Sequence, residues 1–110
     1  MAKELSPLEF VRKWSQSELR ERASSQEHFI DICHLLGHGT PAELDPKGSW
    51  FTFDYGATKL AGEHGFADVW KKGHFGWEYK GKDKNLNAAY DQLLQYRESL
   101  LNPPLLIVSD

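Results

Sequence analysis

At 110 residues, with 40% hydrophobic and 13% aromatic side chains, the chain is long enough for one domain with a modest core of its own. Its net charge of -3 lacks the overall basic excess that often accompanies nucleic-acid binding. No apolar run is long enough to cross a bilayer, the start MAKELSPLEF has no hydrophobic signal core, and the single cysteine, Cys33, has no internal disulfide partner, so the expectation is a cytoplasmic protein without membrane association.

The N-terminal part reads as a helical hairpin over residues 1–37. Ser6, Pro7 and Glu9 form a start signal in which serine caps and glutamate returns the bond, and a helix over about 7–22 follows. Ser24 and Glu27 repeat that spacing ahead of HFIDICHLLG, where Phe29, Cys33 and Leu36 share a face and Gly37 supplies the stop. Cys33 is therefore expected in the packed interior, not as a nucleophile. Residues 38–48, HGTPAELDPKG, contain two prolines and two glycines and read as an irregular connector.

From residue 49 the pattern alternates. WFTFDY, FADVW and HFGWEYK are short and aromatic or β-branched, with Phe75, Trp77 and Tyr79 on one side, and KKG between the second and third suits a tight hairpin. From Asn85 the helical period returns, with Leu86, Ala89, Leu93, Tyr96 and Leu100 in one stripe, until NPP ends it. LLIVSD is a continuous apolar run, the form of a strand buried on both faces. The order α, α, β, β, β, α, β predicts an α/β fold, a mixed sheet with helices packed on it. A chain that ends on such a strand reads as a piece of a larger protein.

Within the hairpin, Glu78 and Lys80 share a face because alternate residues of a strand do, and Asp68 comes from the neighbouring strand. Two carboxylates converging from adjacent strands form an oxygen-rich site for a hard divalent ion such as Mg2+, and a lysine beside it stabilises charge on an attacked phosphodiester. The spacing by itself fits an exposed Glu–Lys pair on the wet face of a hairpin better than a site. Lys71, Lys72, Lys80, Lys82 and Lys84 stand against only Glu78 and Asp83 in residues 71–84, a basic strip that suits DNA phosphates or an ordinary solvated surface.

Asp68, then EYK on the next strand, then QLLQY on the following helix resemble the PD-(D/E)XK nuclease superfamily. GFADVW, EYKGK, AAYDQLLQYR and LLIVSD are most similar to the N-terminal endonuclease domain of single-chain restriction-modification enzymes of the MmeI type. The resemblance implies a restriction-endonuclease-like αβββαβ core over about 49–110 behind the helical hairpin. It implies a metal-dependent endodeoxyribonuclease that hydrolyses phosphodiester bonds with Mg2+, or Mn2+ in its place. Asp68 and Glu78 would be metal ligands with the backbone carbonyl of Tyr79, Lys80 the catalytic lysine, and Gln92 and Tyr96 supporting residues beside the site. Asp54 is the best match for a further acid, with Glu21 more distant. Lys71, Lys72, Lys82 and Lys84 are candidate contacts to double-stranded DNA. The DNA methyltransferase and target-recognition domains, and with them S-adenosylmethionine, would belong to other parts of the full-length polypeptide and not to this chain. Cleavage of both strands would imply transient dimerisation.

Other features carry less. NPPL at 102–105 lacks the aromatic that stacks on a flipped base in amino-group methyltransferases, and no glycine-rich cofactor loop follows a strand, so NPP reads as a helix terminator. Cys33, His34, His38, His64 and His74 have no zinc-ligand spacing. Two competing readings stand beside the nuclease: a catalytically inactive nuclease-like module that binds DNA or a partner, and an interaction domain with an aromatic hairpin, which requires Trp70 or Trp77 at the surface.

Overall fold

The computed structural model describes residues 5–17, 21–56, 65–80 and 85–109, without the side chains of residues 21–23. Helix α1 (Pro7–Gln16) starts at the expected capping box: Ser6 Oγ accepts the Glu9 N–H at 3.2 Å and Glu9 Oε1 accepts the Ser6 N–H at 3.3 Å. It ends well before residue 22. Ser15 Oγ bonds back to the Val11 carbonyl at 2.6 Å, a local competitor of the helix, and Ser17 is extended. Helix α2 (Glu21–Leu35) begins before Ser24, so Ser24 and Glu27 lie within it and do not cap it.

The end of α2 follows the sequence. Gly37 has φ 66, its N–H bonds to the His34 carbonyl, and the His38 N–H reaches back to the Cys33 carbonyl at 2.8 Å, the paired bonds of a Schellman turn. Phe29 and Cys33 are buried as expected, but Leu36 lies beyond the last helical turn and is 73% exposed. The connector holds a one-turn helix, α3 (Pro41–Leu44), with its own capping box between Thr40 and Glu43. Beyond it, Asp45 gathers the next loop by accepting the N–H groups of Trp50 and Phe51, each at 2.8 Å. Burial raises the Asp45 pKa, but these bonds and those from Ser49 outweigh it and hold the carboxyl below its ordinary value.

Four strands follow: β1 (Phe51–Tyr55), β2 (Ala67–Lys71), β3 (Phe75–Tyr79) and, after helix α4 (Leu86–Gln95), β4 (Leu105–Ser109). They form one mixed sheet in the order β1-β2-β3-β4, antiparallel up to β3 and parallel between β3 and β4. The KKG turn joins Lys71 to its partner Phe75. Helix α4 is capped by Asn85, whose side chain accepts the Ala88 N–H, and gives way at Tyr96 to a further turn that places Leu101 and Asn102 at φ 65 and 51.

The sheet separates two aromatic-rich cores. On one face, Phe51, Val69, Tyr79 and their half-buried neighbours Phe53, Phe75 and Trp77 pack against Phe29 and Cys33 of α2. On the other, Trp70, Leu106 and Val108 meet Leu93 of α4 and Leu100 just beyond it. Trp70 is buried to 1% exposure and Trp77 is half-buried, so neither forms an exposed aromatic surface. The final strand departs from expectation. Among the described residues β4 lies at the sheet edge, where Leu105 is 59% exposed and the rest is only half-buried, because α4 covers one face and no further strand pairs with it.

Candidate functional site

Alternation places Glu78 and Lys80 on one face. Val69 and Tyr79 belong to the α2 side, whereas a Cβ at Gly76 would meet Leu100, Leu106 and Leu93 on the α4 side. Glu78 and Lys80 therefore share the α4 face, and Asp68 lies where the alternation of β2 lapses, since Ala67 packs with Trp70 on the α4 side. The β2–β3 pairing ends at Val69 opposite Trp77, one residue short of Asp68 and Glu78.

Here the backbone pairing changes character. The Tyr79 N–H is bonded not to a β2 carbonyl but to Asp68 Oδ2, at 2.7 Å. A residue's N–H and C=O point to the same edge of a strand, so the Tyr79 carbonyl also faces the β2 edge. Lys80 continues the pairing on the other edge, donating its N–H to the Ser109 carbonyl at 2.7 Å. Its Nζ lies 3.9 Å from Glu78 Oε2, with both side chains largely shielded, at 29% and 17% exposure. One carboxylate fixed by a main-chain donor, a second on the residue before that donor, and an ammonium group beside the second form an electronegative notch bounded by a cation.

The remaining predicted positions spread around this notch. Asp54 has φ 49 and its carboxylate accepts from Gln26 of α2 at 3.4 Å, which ties it to the α2 side of the sheet. Among the described residues no three His, Cys, Asp or Glu side chains converge to hold a metal ion. Gln92 is exposed on α4, while the Tyr96 ring packs 5.1 Å from Phe66, two residues before Asp68, in the α4-side core. Lys71 lies on the α2 face, where its Nζ is 5.4 Å from the centre of the Phe51 ring and 3.3 Å from His38 Nε2. His38 Nδ1 donates to the Gly39 carbonyl, which leaves Nε2 to accept from Lys71. Lys72 is exposed at the hairpin tip. Lys82 and Lys84, and the Glu21 side chain, lie outside the described residues.

One element of the site had no signal in the sequence. Behind the notch, Tyr79 Oη lies 2.9 Å from His28 Nδ1, and the His28 ring is enclosed by Phe10 and Trp14 of α1. Trp14 Nε1 donates to Asp31, which also pairs with Lys13 at 2.8 Å. Burial lowers the His28 pKa, and burial with the neighbouring Asp68 charge raises that of Tyr79, so a neutral pair joins the helical hairpin to β3. Buried Cys33 has its thiol pushed up to about 11 by desolvation, unsuited to nucleophilic work. Compared with known proteins, the chain matches no family model, no curated protein and no solved structure.

Proposed function

We propose that the chain is the Mg2+-dependent endonuclease domain of a restriction-modification DNA methyltransferase, with Asp68, Glu78 and Lys80 as its working residues. The observation that carries this reading is the notch itself: the Asp68 carboxylate seated on the Tyr79 N–H, next in the chain to Glu78, with Lys80 Nζ 3.9 Å from Glu78. The sheet order and the β3-α4-β4 crossover agree with the αβββαβ core that the sequence resemblance implies.

The donor set suits Mg2+, which takes one or two protein carboxylates and retains several waters. Asp68 and Glu78 would hold the ion with the Tyr79 carbonyl. When bound, it would acidify a coordinated water and neutralise charge at the phosphate. Lys80 places an ammonium group where negative charge develops on the phosphate oxygens, and its low exposure strengthens that interaction. The Tyr79 N–H holds Asp68 in one rotamer, so the carboxylate is pre-oriented. The Lys80 ammonium group already paired with Glu78 at 3.9 Å favours the second reading, a nuclease-like module that binds DNA without cutting it.

Plasmid nicking separates them. The active reading expects nicking with Mg2+ or Mn2+ that EDTA abolishes and that falls at least about 100-fold in Lys80→Ala, the range of a lost electrostatic stabiliser. Equal nicking by both proteins removes Lys80 from the mechanism. A Mn2+ titration of Asp68→Ala that matches the native chain removes the ligand assignment.

A further inference from the structure

The hairpin tip and the Asp45 loop meet at the end of the sheet away from the carboxylates. The Lys72 N–H donates to the Trp50 carbonyl at 2.7 Å, and His74 Nδ1 donates to the Lys72 carbonyl at 3.0 Å, so loop and tip form one surface. Lys47, Trp50, Lys72 and His74 are all exposed on it, Trp50 to 37%. Neither Lys47 nor Lys72 forms an ion pair among the described residues, while Lys71 is held inward by His38. The nearby acids are engaged within the loop: Asp45 is buried on main-chain donors and Glu43 caps α3.

Exposed cations flanking an exposed indole, with Asp45 buried and Glu43 engaged on the Thr40 N–H, are complementary to a polyanion that also offers apolar sugar edges. We infer that this surface is a docking site for the backbone of duplex DNA, with Lys47 and Lys72 on phosphates and Trp50 against the deoxyribose edge. The inference deepens the endonuclease reading and rests on it for the choice of duplex DNA. Lys72, one residue past the end of β2, is four residues from Asp68, at most about 13 Å at the usual rise per residue. That distance spans about four base pairs. Docking here therefore engages the backbone about four phosphates from the one presented to the notch, and Trp50 becomes a positioning residue with no part in the chemistry.

The test is fluorescence anisotropy of a labelled duplex in EDTA across a salt series, with thermal melts of each variant to verify folding. Each phosphate contact contributes about 0.9 to the slope of log affinity against log salt, so Lys47→Ala with Lys72→Ala is expected to weaken binding and flatten the slope by about 1.8. Trp50→Ala is expected to weaken binding about 5-fold or more with the slope unchanged, the signature of an uncharged contact. Native-like affinity and slope in the folded variants overturn the site, as does a native preference for single strands over duplex. Because EDTA removes metal chemistry, the two readings fail separately. Patch-dependent binding with a Mn2+ titration unchanged in Asp68→Ala retains the docking site and refutes the metal site, whereas Lys80-dependent nicking with patch-independent binding does the reverse.

Discussion

Two tryptophans of the hairpin allow a paired test of how the sheet is held to α4. Trp70 Nε1 donates to the Leu100 carbonyl at 2.9 Å in a buried setting, and its ring stacks on Tyr55 with centroids 3.7 Å apart. Trp70→Phe leaves that carbonyl without its donor, costing about 1–3 kcal/mol. The lost half of the indole adds a cavity cost of about 1 kcal/mol. The expected total is about 2–4 kcal/mol, or a melting point lower by about 8–30 °C for a domain of this size. Trp77 Nε1 also donates, to Ser109 Oγ at 3.1 Å, but in a half-buried position where water replaces the lost donor. Trp77→Phe is therefore expected to cost only about 0.5–1.5 kcal/mol. Urea denaturation followed by far-UV circular dichroism measures both, with m values unchanged. Equal losses in the two variants, or a loss below about 1 kcal/mol in Trp70→Phe, would refute the claim that the Leu100 carbonyl depends on Trp70.

His28 links stability to pH. Its folded-state pKa lies below the ordinary value of about 6.5 because of burial, so its contribution is complete above pH ~6.5 and is lost as pH falls through the folded value. Urea midpoints between pH 7.5 and 5 should decline less steeply in His28→Gln, and parallel profiles for the two proteins would contradict this. At Gly65, a Cβ would sit 2.5 Å from the Tyr55 carbonyl oxygen and 2.7 Å from that of Asp54, both main chain. Gly65→Ala should force β1 away from the entry to β2 and cost about 1–3 kcal/mol in thermal melts, and a native melting point would show that the chain there yields freely.

The sequence made some of this legible for clear physical reasons. Phe75, Trp77 and Tyr79 declare their face by alternation, and that alone places Glu78 beside Lys80. Ser6 with Glu9, and Gly37, mark helix ends through local bonds that need no tertiary contact. Thr40, Pro41 and Glu43 bear the same capping signature as Ser6, Pro7 and Glu9, but flanking prolines and glycines obscured a helix of a single turn. Ser24 imitates a cap inside a helix because the spacing of two polar residues does not reveal whether helix already precedes them. The edge position of β4 was illegible, since apolar composition reports a tendency to be buried and not the presence of a covering neighbour. Contacts such as His28 with Tyr79 and Lys71 with His38 join residues far apart in sequence and exist only once the layers have packed. Asp54 at positive φ is likewise a product of the assembled sheet.

The two halves of the sheet also differ in when they can form. Strands β1 to β3 pair with their neighbours in the chain, so most of the entropy cost of that meander is met by short closures. β4 reaches β3 only after the chain has traversed α4, and parallel pairing across such a crossover is the slower event. Lys80 takes its main-chain partner from Ser109 of that strand. Assembly of the sheet thus has an order, and the strand end that carries the amine is the last part of the site to be set in place.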